Sequence, residues 1–435
     1  MAFIFGGSFM TDMRLFKILI VLYILITTAA AMAQDTAQIV VPGRHNAKRQ
    51  MKKPYVILIS ADGFRYDFAD KYHAHNLVTL REGGVAAAYM QPSFPSLTFP
   101  NHYTIVTGMY PAHHGLVDNS MYDRKKNVIY SIGNHKEVTD SSWYGGVPLW
   151  VLAEQEQMIS ASYYWVGSEA SVDGVRPTYY YSYSDKTDID TRISIVRKWL
   201  ELPEAERPHF ITFYMPEVDH AAHKYGPDAK ETEDAVAFVD ESIKKMTDTL
   251  AMLNLDIDYI FVSDHGMTTV DTKNTLSLPA DLDTAKFRAV GGSSMVHLYA
   301  KNATDIQPAY ERIKAEAKDY DVYLAADMPG RYHYSTKDDT YGRIGDIILM
   351  PHLPKVFNLS KWPTQMGQHG FDPGLPEMRA TFYAWGPEFK QHVNIAGFEN
   401  IHVYPLIAKL LGLTYDQPID GDIKVLQPIL IPFKH

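Results

Sequence analysis

Seven side chains scattered along the sequence are of types that could hold metal ions around a reactive hydroxyl: Asp62, Thr98, Asp219, His223, Asp264, His265 and His369. Asp219 and His223 are four apart in Glu217-Val218-Asp219-His220-Ala221-Ala222-His223. On a helix they would share a face and converge on one ion, or form only a surface Asp–His pair. Asp264 and His265 adjoin in Ser263-Asp264-His265-Gly266-Met267, and His369 lies between glycines in Gly367-Gln368-His369-Gly370, where a lone imidazole is more often structural. Hard carboxylate oxygens and imidazoles without thiolate suit Zn²⁺, and Mn²⁺ or iron would also be accepted. Two such ions about 4 Å apart are the recurrent device for phosphoryl displacement.

Thr98 is the candidate nucleophile, and its setting has two uses. Pro92 and Pro95 keep the preceding segment from being helical for long, while Pro100 falls where a first turn lacks intrahelical N–H bonds. A helix is expected from about Asn101 to Thr107, ending at Gly108 and Pro111. A Thr at that point commonly caps the helix. The same free N–H groups and positive dipole end would also receive a phosphate.

The elements that must carry these residues repeat one theme. Tyr55 to Ser60, Phe210 to Tyr214 and Asp258 to Ser263 are short, largely apolar runs suited to strands buried on both faces of a parallel sheet. Asp62 follows the first, Asp219 and His223 the second, Asp264 and His265 the third. Open α/β sheets place ligands at such carboxyl ends, and three of them are hard to attribute to capping. Helices are expected over Trp143 to Glu156, Ile189 to Leu200, Asp228 to Leu253 and Val403 to Leu411. Strands are expected at Ser160 to Trp165 and Ala380 to Trp385, with a loop or sheet edge at Tyr179 to Tyr183.

Composition bounds the rest. The 435 residues are 46% hydrophobic and 21% charged, as in a globular chain. Residues 1–33 resemble a secretory signal: Arg14 and Lys17 precede an apolar Ile18 to Ile26, and Ala31-Met32-Ala33 offers a cleavage site. That apolar core is shorter than the ~20 residues of a membrane span, so none is expected after cleavage. The chain has no cysteine, so export without disulfides points to a bacterial periplasm. Its net charge of −10 makes polymeric nucleic acid a poor partner, so any affinity for phosphates should be local and metal-borne. The expected domains are a signal peptide (1–33), a flexible leader (34–53), a catalytic domain (54–270 and 366–435) and a smaller α+β insertion (271–365).

With Thr-Phe-Pro-Asn-His-Tyr at 98–103, Asp-Asn-Ser-Met-Tyr-Asp at 118–123, and the Asp219, Asp264 and His369 segments in this order, the chain resembles the nucleotide pyrophosphatase/phosphodiesterase family of the alkaline phosphatase superfamily. The resemblance runs from Tyr55 to near the C-terminus. It implies an α/β, alkaline-phosphatase-like fold with a largely parallel central sheet and helices on both faces. It also implies two Zn²⁺ per chain: Asp219, His223 and His369 on one, Asp62, Asp264, His265 and Thr98 on the other. Asn119 would bind a non-bridging phosphate oxygen, and Phe99 and Tyr214 would flank a nucleobase or other leaving-side group, although core packing would explain both rings as well. The implied reaction is hydrolysis of phosphodiesters or nucleotide pyrophosphates through a phospho-threonine. Similar enzymes acting on monoesters carry a Lys-x-Arg pair where this chain has Trp165-Val166-Gly167-Ser168-Glu169-Ala170, which favours diesters. A monoesterase, a phosphonate hydrolase and a non-catalytic metal-dependent binding protein are the alternatives.

Overall fold

Tyr55–Ala61 is apolar at every position but Ser60, and such a strand is stable where both of its faces are covered. In the computed structural model, which describes residues 37–432, it is the middle strand of a nine-stranded sheet. The strands are β1 (Ile39–Val40), β2 (Tyr55–Ala61), β3 (Val85–Ala87), β4 (Ser160–Tyr163), β5 (Tyr179–Tyr180), β6 (Phe210–Met215), β7 (Ile257–Val262), β8 (Phe382–Trp385) and β9 (Val393–Ile395). Their order is β1-β5-β4-β6-β2-β7-β8-β3-β9, and only β1 and β8 run against the others. The signal segment expected at residues 1–33 lies outside the described residues.

Alternation along β2 divides the core into two layers. The helices around it include α1 (Thr98–Thr107), α2 (Ile189–Leu200), α3 (Glu217–Tyr225), α4 (Lys230–Ala251) and α5 (Val403–Leu411). Val56 and Leu58 pack with Ile105 and Val106 of α1 and with Leu406 and Leu410 of α5. Ile57 and Ile59 face the other way, onto Val196 and Trp199 of α2 and the Val236, Val239, Ile243 and Met246 stripe of α4. Truncating any of these four β2 side chains to Ala should cost about 2–5 kcal/mol.

Three expectations need correcting. Residues 37–53 are not a free leader: β1 pairs with β5, and Asn46 is buried, donating to the carbonyls of Glu204 (2.9 Å) and Arg207 (2.7 Å). Polar composition suggested solvation, but a polar side chain can equally satisfy buried backbone groups. The helix expected over 143–156 is confined to Leu149–Gln155, because Gly145, Gly146 and Pro148 interrupt its first half. Helix α1 begins at Thr98 rather than near Asn101, with Leu97 as its cap residue.

A second sheet of four antiparallel strands occupies part of 271–365. Its order is Phe287–Gly292, Met295–Ala300, Ile347–Pro351, Tyr320–Leu324. One face, with Val296, Leu298, Ile347 and Leu349, holds the helix Ile306–Glu316 through Ala309 and Ile313. From the other, Met295 and Ile348 join the layer containing α1. The chain returns through a two-residue ladder in which Gln368 and Gly367 pair with Thr268 and Thr269.

Candidate active site

Register brings the three strand ends to one level. Ser60 of β2 is opposite Tyr214 of β6 on one side and Val262 of β7 on the other, so Asp62 and Asp264, each two residues further on, emerge side by side. Asp219 reaches them from the first turn of α3. The approach is close: a Cβ on Gly63, whose φ is +66°, would lie 3.1 Å from the Asp219 Cα. Its N–H donates to Asp264 Oδ1 at 3.2 Å. The Gly367–Gln368 ladder sets His369 against His265, with ring centroids 3.5 Å apart.

The imidazole tautomers follow from their backbone partners. Nδ1 of His223 donates to the Gly367 carbonyl (2.8 Å) and Nδ1 of His369 to the Ser96 carbonyl (2.9 Å). Their Nε2 atoms face each other at 3.1 Å, so both cannot carry protons, and both lie near Asp219 Oδ1, at 3.3 and 3.8 Å. Burial, with His265 and His223 close by, pushes His369 well below the usual imidazole range, so it is neutral.

A second convergence adjoins the first. His265 donates from Nδ1 to the Gly266 carbonyl, leaving Nε2 at 3.0 Å from Asp264 Oδ2, 3.4 Å from Asp62 Oδ1 and 3.1 Å from Thr98 Oγ1. Burial raises the Asp62 carboxyl well above its ordinary value, and Asp264 and Asp219 add to the rise. Burial works in the same direction on Asp264, yet His265 and His102 hold that carboxyl well below the usual range. Asp62 Oδ1, Asp219 Oδ1 and Asp264 Oδ2 are buried without a hydrogen-bond partner. Orphaned acceptors of one charge facing imidazole nitrogens are the donor set a divalent cation requires. Three triads, Asp219/His223/His369, Asp62/Asp219/His265 and Asp62/His102/Asp264, each have ligand atoms within 4.8 Å of one another.

The Thr98 hydroxyl does not cap its helix, since α1 has no side-chain cap and Oγ1 is directed at His265. Asn119 accepts the Phe99 N–H through Oδ1 (3.0 Å), which turns its NH₂ group away from that contact. Phe99 is half-buried against Tyr130. The Tyr214 hydroxyl donates to Asp62 Oδ2 at 2.6 Å and so orients that carboxylate, a role additional to the flanking one expected for its ring.

Two residues escaped the sequence reading. His102 donates its Nδ1 proton to the Thr98 carbonyl (3.0 Å), with Asp264 Oδ2 lying 3.2 Å from the same nitrogen, while Nε2 meets the Ser60 hydroxyl at 2.8 Å. Its position four residues after Thr98 on the same helix was the available signal. Tyr183 is 49% exposed, with its ring 6.1 Å from that of Tyr214; nothing local distinguishes it from the other 28 tyrosines.

A parallel sheet whose carboxyl ends converge on buried carboxylates, imidazoles and a helix-borne hydroxyl is the architecture of the alkaline phosphatase superfamily. Within it, the chain belongs to the type I phosphodiesterase/nucleotide pyrophosphatase family, whose pattern it matches over residues 56–372. It is 34% identical over 385 residues to ectonucleotide pyrophosphatase/phosphodiesterase family member 1 of Mus musculus, covering 84% of this chain and 41% of that protein. Identity to a venom phosphodiesterase of Naja atra is 33% over 372 residues, 82% of this chain and 44% of the relative. The chain therefore spans less than half the length of these relatives. An inactive threonine-to-alanine variant of murine ectonucleotide pyrophosphatase/phosphodiesterase 5, solved in complex with AMP, matches with a TM-score of 0.81 at 26% identity, covering 87% of this chain and 100% of that one. The human counterpart gives 0.81 at 26% identity, covering 86% and 99%.

Proposed function

We propose that the chain is a two-zinc hydrolase of phosphodiester and nucleotide pyrophosphate bonds that works through a phospho-threonine at Thr98 and releases nucleoside monophosphates. The observation that carries this is the convergence of the orphaned oxygens of Asp62, Asp219 and Asp264 with imidazole nitrogens around an uncapped Thr98 hydroxyl. Asp219, His223 and His369 would hold one ion, and Asp62, Asp264, His265 and Thr98 the other. Bound zinc would supply Lewis acidity, lowering the pKa of a ligating hydroxyl and neutralising phosphate charge.

The protein's own groups do the rest. Tyr214 and His102 fix the Asp62 and Asp264 carboxylates, so ligand directions are set before substrate arrives. Thr98 Oγ1 attacks phosphorus and the bond to the leaving oxygen breaks; water then cleaves the phospho-threonine. Asn119, held by the Phe99 N–H, offers its NH₂ to a non-bridging oxygen. Phe99 and the Tyr214–Tyr183 pair provide aromatic surface for a nucleobase or other leaving-side group. An exported, periplasmic location fits residues 1–33 and the lack of cysteine.

Zinc-loaded protein should cleave the nitrophenyl ester of a nucleoside monophosphate at least about tenfold faster than nitrophenyl phosphate, with T98A inactive on both. Comparable or reversed kcat/KM values would move the assignment to monoesters, and turnover of phosphonoacetate in preference to both would move it to phosphonates. Equal, negligible activity in wild type and T98A would leave only a binding role.

A further inference from the structure

We propose that His297 is a positioning residue for Asn119, acting through Asp118, so that the smaller sheet sets the amide that meets the phosphate. This rests on the role of Asn119 given above. His297, on the strand Met295–Ala300, is fully buried. Its Nδ1 donates to the Ile344 carbonyl at 2.7 Å, and its Nε2 lies 3.1 Å from Asp118 Oδ2. Asp118 is also buried, and its other oxygen accepts the Ser120 N–H at 2.8 Å. That contact closes a turn across Asn119, fixing the backbone from which the amide projects.

Further grips on the same segment come from the same region of the chain. Tyr334 donates its hydroxyl to the Val117 carbonyl (2.6 Å), and the Tyr299 hydroxyl accepts the Tyr122 N–H (3.2 Å). On the opposite side, the Asn119 carbonyl accepts the Ile132 N–H at 3.1 Å, and its side chain accepts the Phe99 N–H beside Thr98. With Val117 and Tyr122 held independently, what the His297–Asp118 contact adds is the direction of the residue between them. A rotation there is passed to Phe99 N–H and to the NH₂ donor together. A displacement of about 1 Å in a positioning group can cost 10²-fold in rate.

Two substitutions separate the two nitrogens of His297. H297N keeps a donor near the Nδ1 position for Ile344 but cannot reach Asp118; H297Q places its amide near Nε2 and can. On zinc-loaded protein with the nucleotide nitrophenyl ester, H297N should lower kcat about 10- to 100-fold with KM within about threefold, and H297Q should recover at least part of that loss. In an N119A background H297N should cost less than about twofold, because the group it positions is gone. The same factor in both backgrounds, or a wild-type rate for H297N, overturns the proposal. An N119A enzyme as active as wild type instead overturns the role of Asn119 itself. Should H297N not fold, D118A and D118N give the same test. D118N retains the acceptor for Ser120 N–H and offers an amide to Nε2, so its kcat should exceed that of D118A by about tenfold or more; equal losses refute the proposal.

Discussion

Replacing Asp219 by Asn should stabilise the metal-free protein, and bound divalent metal should offset or reverse that gain. Asp219 belongs to two of the three ligand triads, its Oδ1 is buried without a partner, and its ligand oxygen lies within 4.8 Å of a carboxylate oxygen of Asp62. At that separation and an effective dielectric of about 20, two full charges repel by about 3 kcal/mol. Burial raises the Asp62 carboxyl, and Asp264 and Asp219 add to the rise, so the repulsion opposes its ionisation and the realised figure is smaller, roughly 1–3 kcal/mol. In metal-free protein D219N should therefore be the more stable form by about that amount. With zinc present the same substitution removes a ligand. A loss of about 100-fold in affinity, measured where wild type is saturated, is worth about 2.7 kcal/mol of stability. Urea midpoints of wild type and D219N at pH 7.5, each with chelator and with zinc, give the four values needed. A shift of the same size in both conditions would refute the idea that these carboxylates converge on a cation.

Two further outcomes test the frame around the site. Burial pushes the Asp258 carboxyl in β7 up to about 7; Oδ1 accepts the Glu388 N–H, while Oδ2 has no partner. A carboxyl raised in the folded state costs nothing below its unfolded pKa of about 3.9, and its cost grows until pH passes the folded value, to at most about 4 kcal/mol. The stability of D258N minus that of wild type should thus rise between pH 4 and 7 and level off above, its size reduced by about 1–3 kcal/mol for the amide donor placed at Oδ2. Parallel pH curves in urea unfolding would contradict this. Separately, a Cβ on Gly367 would lie 2.2 Å from the Ala222 carbonyl oxygen of α3, the helix that carries Asp219 and His223. G367A should therefore displace the segment leading to His369 and weaken zinc binding by about tenfold or more, read by competition with a chromophoric chelator; unchanged affinity would show that the segment has room to yield.

Much of the frame was legible because its signals are local. β2, β6 and β7 are short apolar runs in the midst of polar sequence, and the carboxylates and imidazoles stand directly at their ends. The spacing of Asp219 and His223 depends only on helical geometry, and α3 supplies that helix. Less legible were elements whose existence depends on a distant partner. β3, β9 and the strand Phe287–Gly292 are stable only as members of their sheets, and β1 is made by pairing with β5.

By itself the sequence determined the inventory: which hard ligands are present, that no thiolate competes, and that Thr98 stands where a helix begins. It could not say whether the Thr98 hydroxyl would cap that helix, because capping and catalysis call for the same residue in the same place. Tertiary structure decided that by bringing His265 to 3.1 Å from Oγ1. It likewise gave the Tyr214 hydroxyl to Asp62, His102 to Asp264, and His297 to Asp118 across 179 residues of chain. These are contacts of direction and proton placement. Residue type and spacing determine which groups are available, while strand register and loop closure determine which lone pair meets which proton.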